Sequence, residues 1–177
     1  MGLRKAIAYS KKKVVPYTRK SKKKQKSYVK TVPPVTVVKY SMGKAEGFRR
    51  GKFPFQLTLI TTENIQIRDS SLEACRQFLN KKLETELSGQ YFFRILAHPH
   101  HIQRENKMLT GAGADRMQTG MARSFGKTIG RAALIKPDQI LYIIGVKNTK
   151  AEVEARKLIK SIKARLSCKV STKTVKA

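Results

Sequence analysis

A chain of 177 residues with 39 lysines and arginines against 11 aspartates and glutamates carries a net charge of +28, and that self-repulsion in a compact fold calls for a polyanionic partner. No run approaches the roughly 18 consecutive apolar residues of a spanning helix, and neither an amphipathic basic helix nor a lipid-anchor signal is present, so no membrane is expected as that partner. The N-terminus lacks the apolar block of a secretory signal. Cys75 and Cys168 are too few and too far apart for a disulfide framework or a four-cysteine zinc site, which points to a cytoplasmic protein whose two thiols stay reduced and pack.

The charge is concentrated rather than spread. Residues 1–52 hold 17 basic and 1 acidic side chain, residues 53–98 hold 5 and 5, residues 99–135 hold 6 and 2, and residues 136–177 hold 11 and 3. A neutral core therefore bears basic extensions. The implied division is a basic N-terminal arm over 1–34, a single globular domain over 35–168 with a long basic loop at 99–128, and a short basic C-terminal tail over 169–177.

In the arm, Lys11, Lys12, Lys13, Arg19, Lys20, Lys22, Lys23 and Lys24 accompany no apolar period that offsets an ordering cost of roughly 1 to 2 kcal/mol per residue. Phosphate pairing is the natural compensation, which makes these side chains RNA-binding candidates. Tyr9, Tyr17 and Tyr28 offer flat faces among them. Val35, Val37 and Val38 then predict a short strand, and Gly43, Gly47 and Gly51 punctuate a basic loop through Arg49, Arg50 and Lys52, a second group of RNA-binding candidates.

Phe55, Leu57 and Leu59 alternate with polar residues as a half-buried strand, and Ile65 and Ile67 repeat the pattern. Leu72, Cys75, Leu79, Leu83 and Leu87 recur at helical spacing behind a cap at Ser70 or Ser71, with Gly89 ending the helix. Tyr91 to His98 reads as a strand. Ile129 to Ile135 and Gln139 to Val146 are two more, and the turn Lys136-Pro137-Asp138 between them favours a hairpin. A last helix, from Thr149 to about Leu166 and capped by Thr149 with Glu152, buries Ala155, Leu158, Ile159, Ile162 and Leu166 while Arg156, Lys160 and Lys163 face outward. The fold class is α+β: a mainly antiparallel sheet with two helices packed against it.

Residues 99–128 show no persistent helix or strand pattern, and structureless insertions beyond about 12 to 15 residues are usually functional. Gly111, Gly113, Gly120 and Gly126 let backbone approach a phosphate chain closely, while Arg104, Lys107, Arg116, Arg123 and Lys127 supply charge. Gly126-Lys127-Thr128 matches the end of a Walker pattern, but Met121 stands where its first glycine belongs. His98, His100 and His101 lack a nearby carboxylate or thiolate cluster, so they read as a polar or phosphate-facing group rather than a metal site. Glu105 and Asp115 form no acid–base constellation. No catalytic residue, metal or cofactor is expected.

The stretch HPHHIQRENKMLTGAGADRMQTGMARSFGK, from His98 to Lys127, resembles the archaeal and eukaryotic large-subunit ribosomal protein family called L-ten-e, equivalent to the bacterial L-sixteen, in its archaeal type. IQIRDSSLEACR, from Ile65 to Arg76, and PYTRK, from Pro16, are similar to the same family. The resemblance implies an α/β-hammerhead fold bound to large-subunit ribosomal RNA near the aminoacyl-tRNA site, with the loop reaching toward the peptidyl-transferase centre. It also implies roles in positioning tRNA and completing subunit assembly. Aminoacyl-site tRNA and neighbouring ribosomal proteins are then partners, and the chain is not an independent homo-oligomer. Carried over by position, the loop residues are Arg104, Lys107, Gly111, Gly113, Arg116, Gln118, Gly120, Phe125 and Lys127. The chain departs from the family at Ala122, with the arginine one place later at Arg123. A general nucleic-acid coating or DNA-compacting protein is the alternative that the lysine-rich arm alone supports equally well.

Overall fold

Apolar residues every second position from Phe55, and every third or fourth from Leu72, build the two elements around which the molecule closes. The computed structural model describes residues 5–10, 29, 31–105 and 126–176. In chain order these form β1 (Ser41–Gly43), α1 (Ala45–Arg49), β2 (Phe55–Thr61), β3 (Ile65–Arg68), α2 (Asp69–Leu87), β4 (Tyr91–Ile95), β5 (His101–Glu105), β6 (Lys127–Ile135), β7 (Ile140–Val146), α3 (Thr149–Ile162), a 3-10 turn (Lys163–Arg165) and β8 (Val170–Lys176).

The strands make two antiparallel sheets rather than the one expected, a five-stranded sheet in the order β1-β4-β7-β2-β8 and a three-stranded sheet in the order β3-β6-β5. In the larger sheet Leu57 lies opposite Ile144 and Leu59 opposite Tyr142, with Phe93 also opposite Ile144 on the other side. All five side chains are buried, as are Leu72, Cys75, Leu79 and Leu83 of α2 and Ala155, Leu158, Ile159 and Ile162 of α3. Each fully buried Leu or Ile contributes roughly 1.5 to 3 kcal/mol, so this shared core is the main source of stability. Burial also pushes the Cys75 and Cys168 thiols up to about 11, and both are free, in line with packing rather than reactive roles.

Several local expectations yield to tertiary contacts. Residues 35–38 are not a strand. The backbone N–H groups of Thr36 and Val38 instead donate to Asp69 Oδ2 at 3.2 Å and Glu73 Oε2 at 3.4 Å, so two carboxylates one helical turn apart on α2 replace a ladder. The loop expected around Gly47 contains α1, whose Phe48 stacks on Phe92. α2 begins a residue or two before the expected serine cap: Asp69 Oδ1 accepts the Ser70 N–H at 2.9 Å. α3 is preceded by Asn148 in an extended conformation, and the Thr149 side chain makes no cap.

The hairpin across Pro137 does not form, because β6 and β7 belong to different sheets. The end of β2 occupies the turn: the Asp138 N–H donates to the Thr61 carbonyl at 2.8 Å, and Thr61 Oγ1 donates to the Lys136 carbonyl at 3.0 Å. With Asp138 at φ 61, the chain leaves the turn alongside β2 instead of folding back on β6. The segment expected as a C-terminal tail is β8, paired with β2 over its whole length. Lysines along such an edge strand discourage further strand pairing.

Candidate nucleic-acid interface

The segment 106–125 springs from the three-stranded sheet. β5 leads into it and β6 leads out, with Arg104 opposite Thr128, Glu105 opposite Lys127, and an irregularity between Gln103 and Arg104. The strand β5 was not anticipated, since its polar residues His101, Gln103 and Glu105 are all buried and leave no apolar–polar alternation to read. Lys127 is exposed at the root, and Arg104 is partly buried.

A piece of the N-terminal region meets this root. The Tyr9 hydroxyl donates to Glu105 Oε1 at 2.7 Å, the Gln66 amide side chain donates to the Tyr9 carbonyl, and the Gln66 N–H donates to the Ser10 carbonyl at 3.2 Å. Tyr9 sits at φ 63, an uncommon conformation for an aromatic residue, and these three bonds hold it there. Its hydroxyl thus serves Glu105, a role that the stacking expectation missed. The available signal was Gln66 itself, an amide between Ile65 and Ile67 in a strand that buries all three, since a buried amide calls for partners.

Other contacts tether the extended segment before β1 to the same region. Arg131 Nε donates to the Pro33 carbonyl at 2.7 Å. Glu73, which accepts from Val38, is gripped by Arg76 at 2.6 Å and by Gln77 at 3.1 Å; the hydrogen-bonded Arg76 guanidinium holds its carboxyl below the usual range.

The three histidines separate. His98 is exposed and stacks on Tyr40 with ring centroids 4.6 Å apart, and His100 is exposed with Nδ1 3.0 Å from the His98 carbonyl. His101 is 3% exposed, and burial, aided by the neighbouring His100, lowers its pKa to about 4. It is therefore neutral at physiological pH, with its ring turned into the sheet rather than out beside His98 and His100. Among the described residues no group of His, Cys, Asp and Glu is placed to hold a metal ion.

Arg49, Arg50 and Lys52 are exposed around α1, where Arg50 pairs with Glu46. The candidates Lys11, Lys12, Lys13, Arg19, Lys20, Lys22, Lys23 and Lys24 in the arm lie outside the described residues, as do Lys107, Gly111, Gly113, Arg116, Gln118, Gly120, Arg123 and Phe125 in the loop.

Residues 16–173 match the family described as Ribosomal protein L16p/L10e. The chain belongs to this family. Among similar proteins, the large ribosomal subunit protein uL16 of Methanococcus maripaludis is 40% identical over 172 residues, covering 96% of this chain and 94% of the relative. That of Staphylothermus marinus is 39% identical over 153 residues, 86% of this chain and 82% of the relative, and that of Hyperthermus butylicus 42% over 133 residues, 75% and 68%. The family match spans both sheets and the whole of 106–125. Among the described residues no helix is long and apolar enough to cross a membrane.

Proposed function

We propose that the protein is a structural constituent of the large ribosomal subunit in the cytoplasm. In this reading it binds large-subunit ribosomal RNA near the aminoacyl-tRNA site, helps to position tRNA there, and contributes to completing the subunit. Ribosomal RNA, aminoacyl-site tRNA and adjacent ribosomal proteins are its partners, and its role is non-catalytic. The observation that carries the reading is the family match over residues 16–173. The charge distribution supports it, because the cations gather in the arm and in the loop and C-terminal parts while residues 53–98 stay neutral.

The glycines and Gln118 among the cations of 106–125 favour a shaped RNA surface over uniform coating of a duplex. Arg116 stands in a glycine- and cation-rich stretch with no apolar period of its own, so Arg116→Ala should impair translation or late subunit assembly without lowering the thermal stability of the isolated protein. The parent chain should sediment with large subunits and leave them only at high salt, because each neutralised phosphate releases roughly 0.7 to 0.9 of a counterion. Finding the protein wholly in the free pool of a gently lysed cell would overturn the reading.

A further inference from the structure

A cleft of about 460 Å³ opens beside α1, and its lining brings Lys44, Arg50 and Lys52 together with Lys147, the residue after β7. Four cations thus face one space in which, among the described residues, Glu46 is the only carboxylate, and Glu46 pairs with Arg50. Among the described residues no carboxylate pairs with Lys44, Lys52 or Lys147. Gathering like charges in a concavity costs energy unless an anion enters it.

The frame that gathers them is rigid. At Gly43, φ is +78 and any side chain would collide with the Tyr91 carbonyl, while the Lys44 N–H donates to that same carbonyl at 3.0 Å. A Cβ on Gly47 would lie 3.2 Å from the Phe53 ring, and the Lys52 N–H closes back on the Gly47 carbonyl at 2.9 Å. Phe48 anchors the underside, stacked on Phe92 with centroids 4.3 Å apart and pressed on Gly145, where a Cβ would lie 3.1 Å from its ring. The aromatic ring in the lining, Phe53, is only 2% exposed, so the cleft offers charge and donors without a stacking face for a base.

We propose that this cleft binds a phosphate of a nucleic-acid backbone, independently of the 106–125 segment and without regard to base sequence. Three ammonium groups supply mobile donors and Arg50 supplies a planar fork, a set suited to phosphodiester oxygens. The identity of the nucleic acid as ribosomal RNA rests on the function proposed above. The phosphate chemistry does not.

The test uses the full chain and protein-free large-subunit ribosomal RNA. The triple variant Lys44→Ala/Lys52→Ala/Lys147→Ala is compared with a charge-matched control, Lys81→Ala/Lys82→Ala/Lys160→Ala, whose lysines are exposed and lie outside the cleft. The cleft triple is expected to weaken binding by about tenfold or more near physiological salt, and to make the plot of log affinity against log salt shallower by roughly one to two. The control should lose less than about threefold. Equal losses in the two triples would overturn the cleft. If the cleft triple melts early, Lys147→Ala against Lys160→Ala is read in the same way, with a loss of about threefold confined to Lys147→Ala. Both triples are also measured on duplex DNA. A parent chain that binds DNA as tightly as ribosomal RNA would defeat the ribosomal reading, while the contrast between the triples on either polyanion still decides the cleft.

Discussion

The five-stranded sheet contributes Leu57, Leu59, Phe93, Tyr142 and Ile144, among others, to the apolar core shared with α2 and α3, whereas the three-stranded sheet buries Gln66, His101, Gln103 and Glu105 alongside its isoleucines. Apolar burial is strong and non-directional, so the larger sheet gains stability from amount. Buried polar groups yield little net energy per bond, but they cost roughly 1 to 3 kcal/mol when unpaired and so specify position. The smaller sheet, which roots the 106–125 segment, is thus positioned by the bonds that Tyr9 and Ser10 make to Glu105 and Gln66. Neither polar atom of the Gln103 amide has a hydrogen-bond partner among the described residues, which further lowers the stability expected of this sheet relative to its neighbour.

The largest effect should come from the element common to both sheets. α2 packs against β3, β4 and β6, and Leu79 is fully buried, so Leu79→Ala is expected to cost about 2 to 5 kcal/mol in urea unfolding, with both sheets losing amide protection together. Loss of protection in the larger sheet alone would show that the two are separate cooperative units.

A smaller effect, confined to the three-stranded sheet, follows from His101. An unfolded chain takes up a proton near 6.5, while the folded chain resists until about 4. The stabilising contribution of the neutral ring is therefore complete above 6.5 and disappears as pH falls toward 4, a loss on the order of 3 kcal/mol. Replacing His101 with Gln should flatten the stability profile in that window. The depressed carboxyl of Glu73 adds a further loss only below its ordinary value of 4.5. An unchanged slope in the His101→Gln variant would remove His101 from the account.

The smallest effect tests the contact between the N-terminal region and the loop root. Tyr9→Phe deletes the hydroxyl that Glu105 accepts and should cost about 1 to 2 kcal/mol, seen as faster hydrogen exchange at the Gln66 amide, which donates to Ser10. Amides of β2 and β7 should keep their protection. Uniform acceleration across both sheets would erase the distinction between them.

Charge needs no fold to be counted, so Arg49, Arg50, Lys52 and Lys127 could be named as candidates from the sequence, and the structure leaves them exposed. What the chain's order could not reveal was which cations meet. Lys147 reaches the cleft of Lys44 and Lys52 only because β7 pairs with β4, and β4 with β1 next to α1. His101 illustrates the converse, a residue with a suitable side chain in a suitable segment that the sheet turned inward.

By itself the sequence determined those elements whose apolar residues recur at the period of a helix or a strand. α2, α3 and β2 have an apolar repeat matched to their own geometry, and that repeat survives without knowledge of neighbours. The tertiary structure alone decided pairing and the fate of polar segments. Pro137-Asp138 is a turn in either outcome, but Thr61, distant in sequence, sets the direction in which it releases β7. β8 carries two valines, two threonines and a serine among its lysines with no clear apolar alternation, and becomes a strand because β2 presents it a free edge. β5 buries Glu105 where Tyr9 supplies its partner. In each case the deciding hydrogen bond is made by a residue remote along the chain, and no local pattern records it.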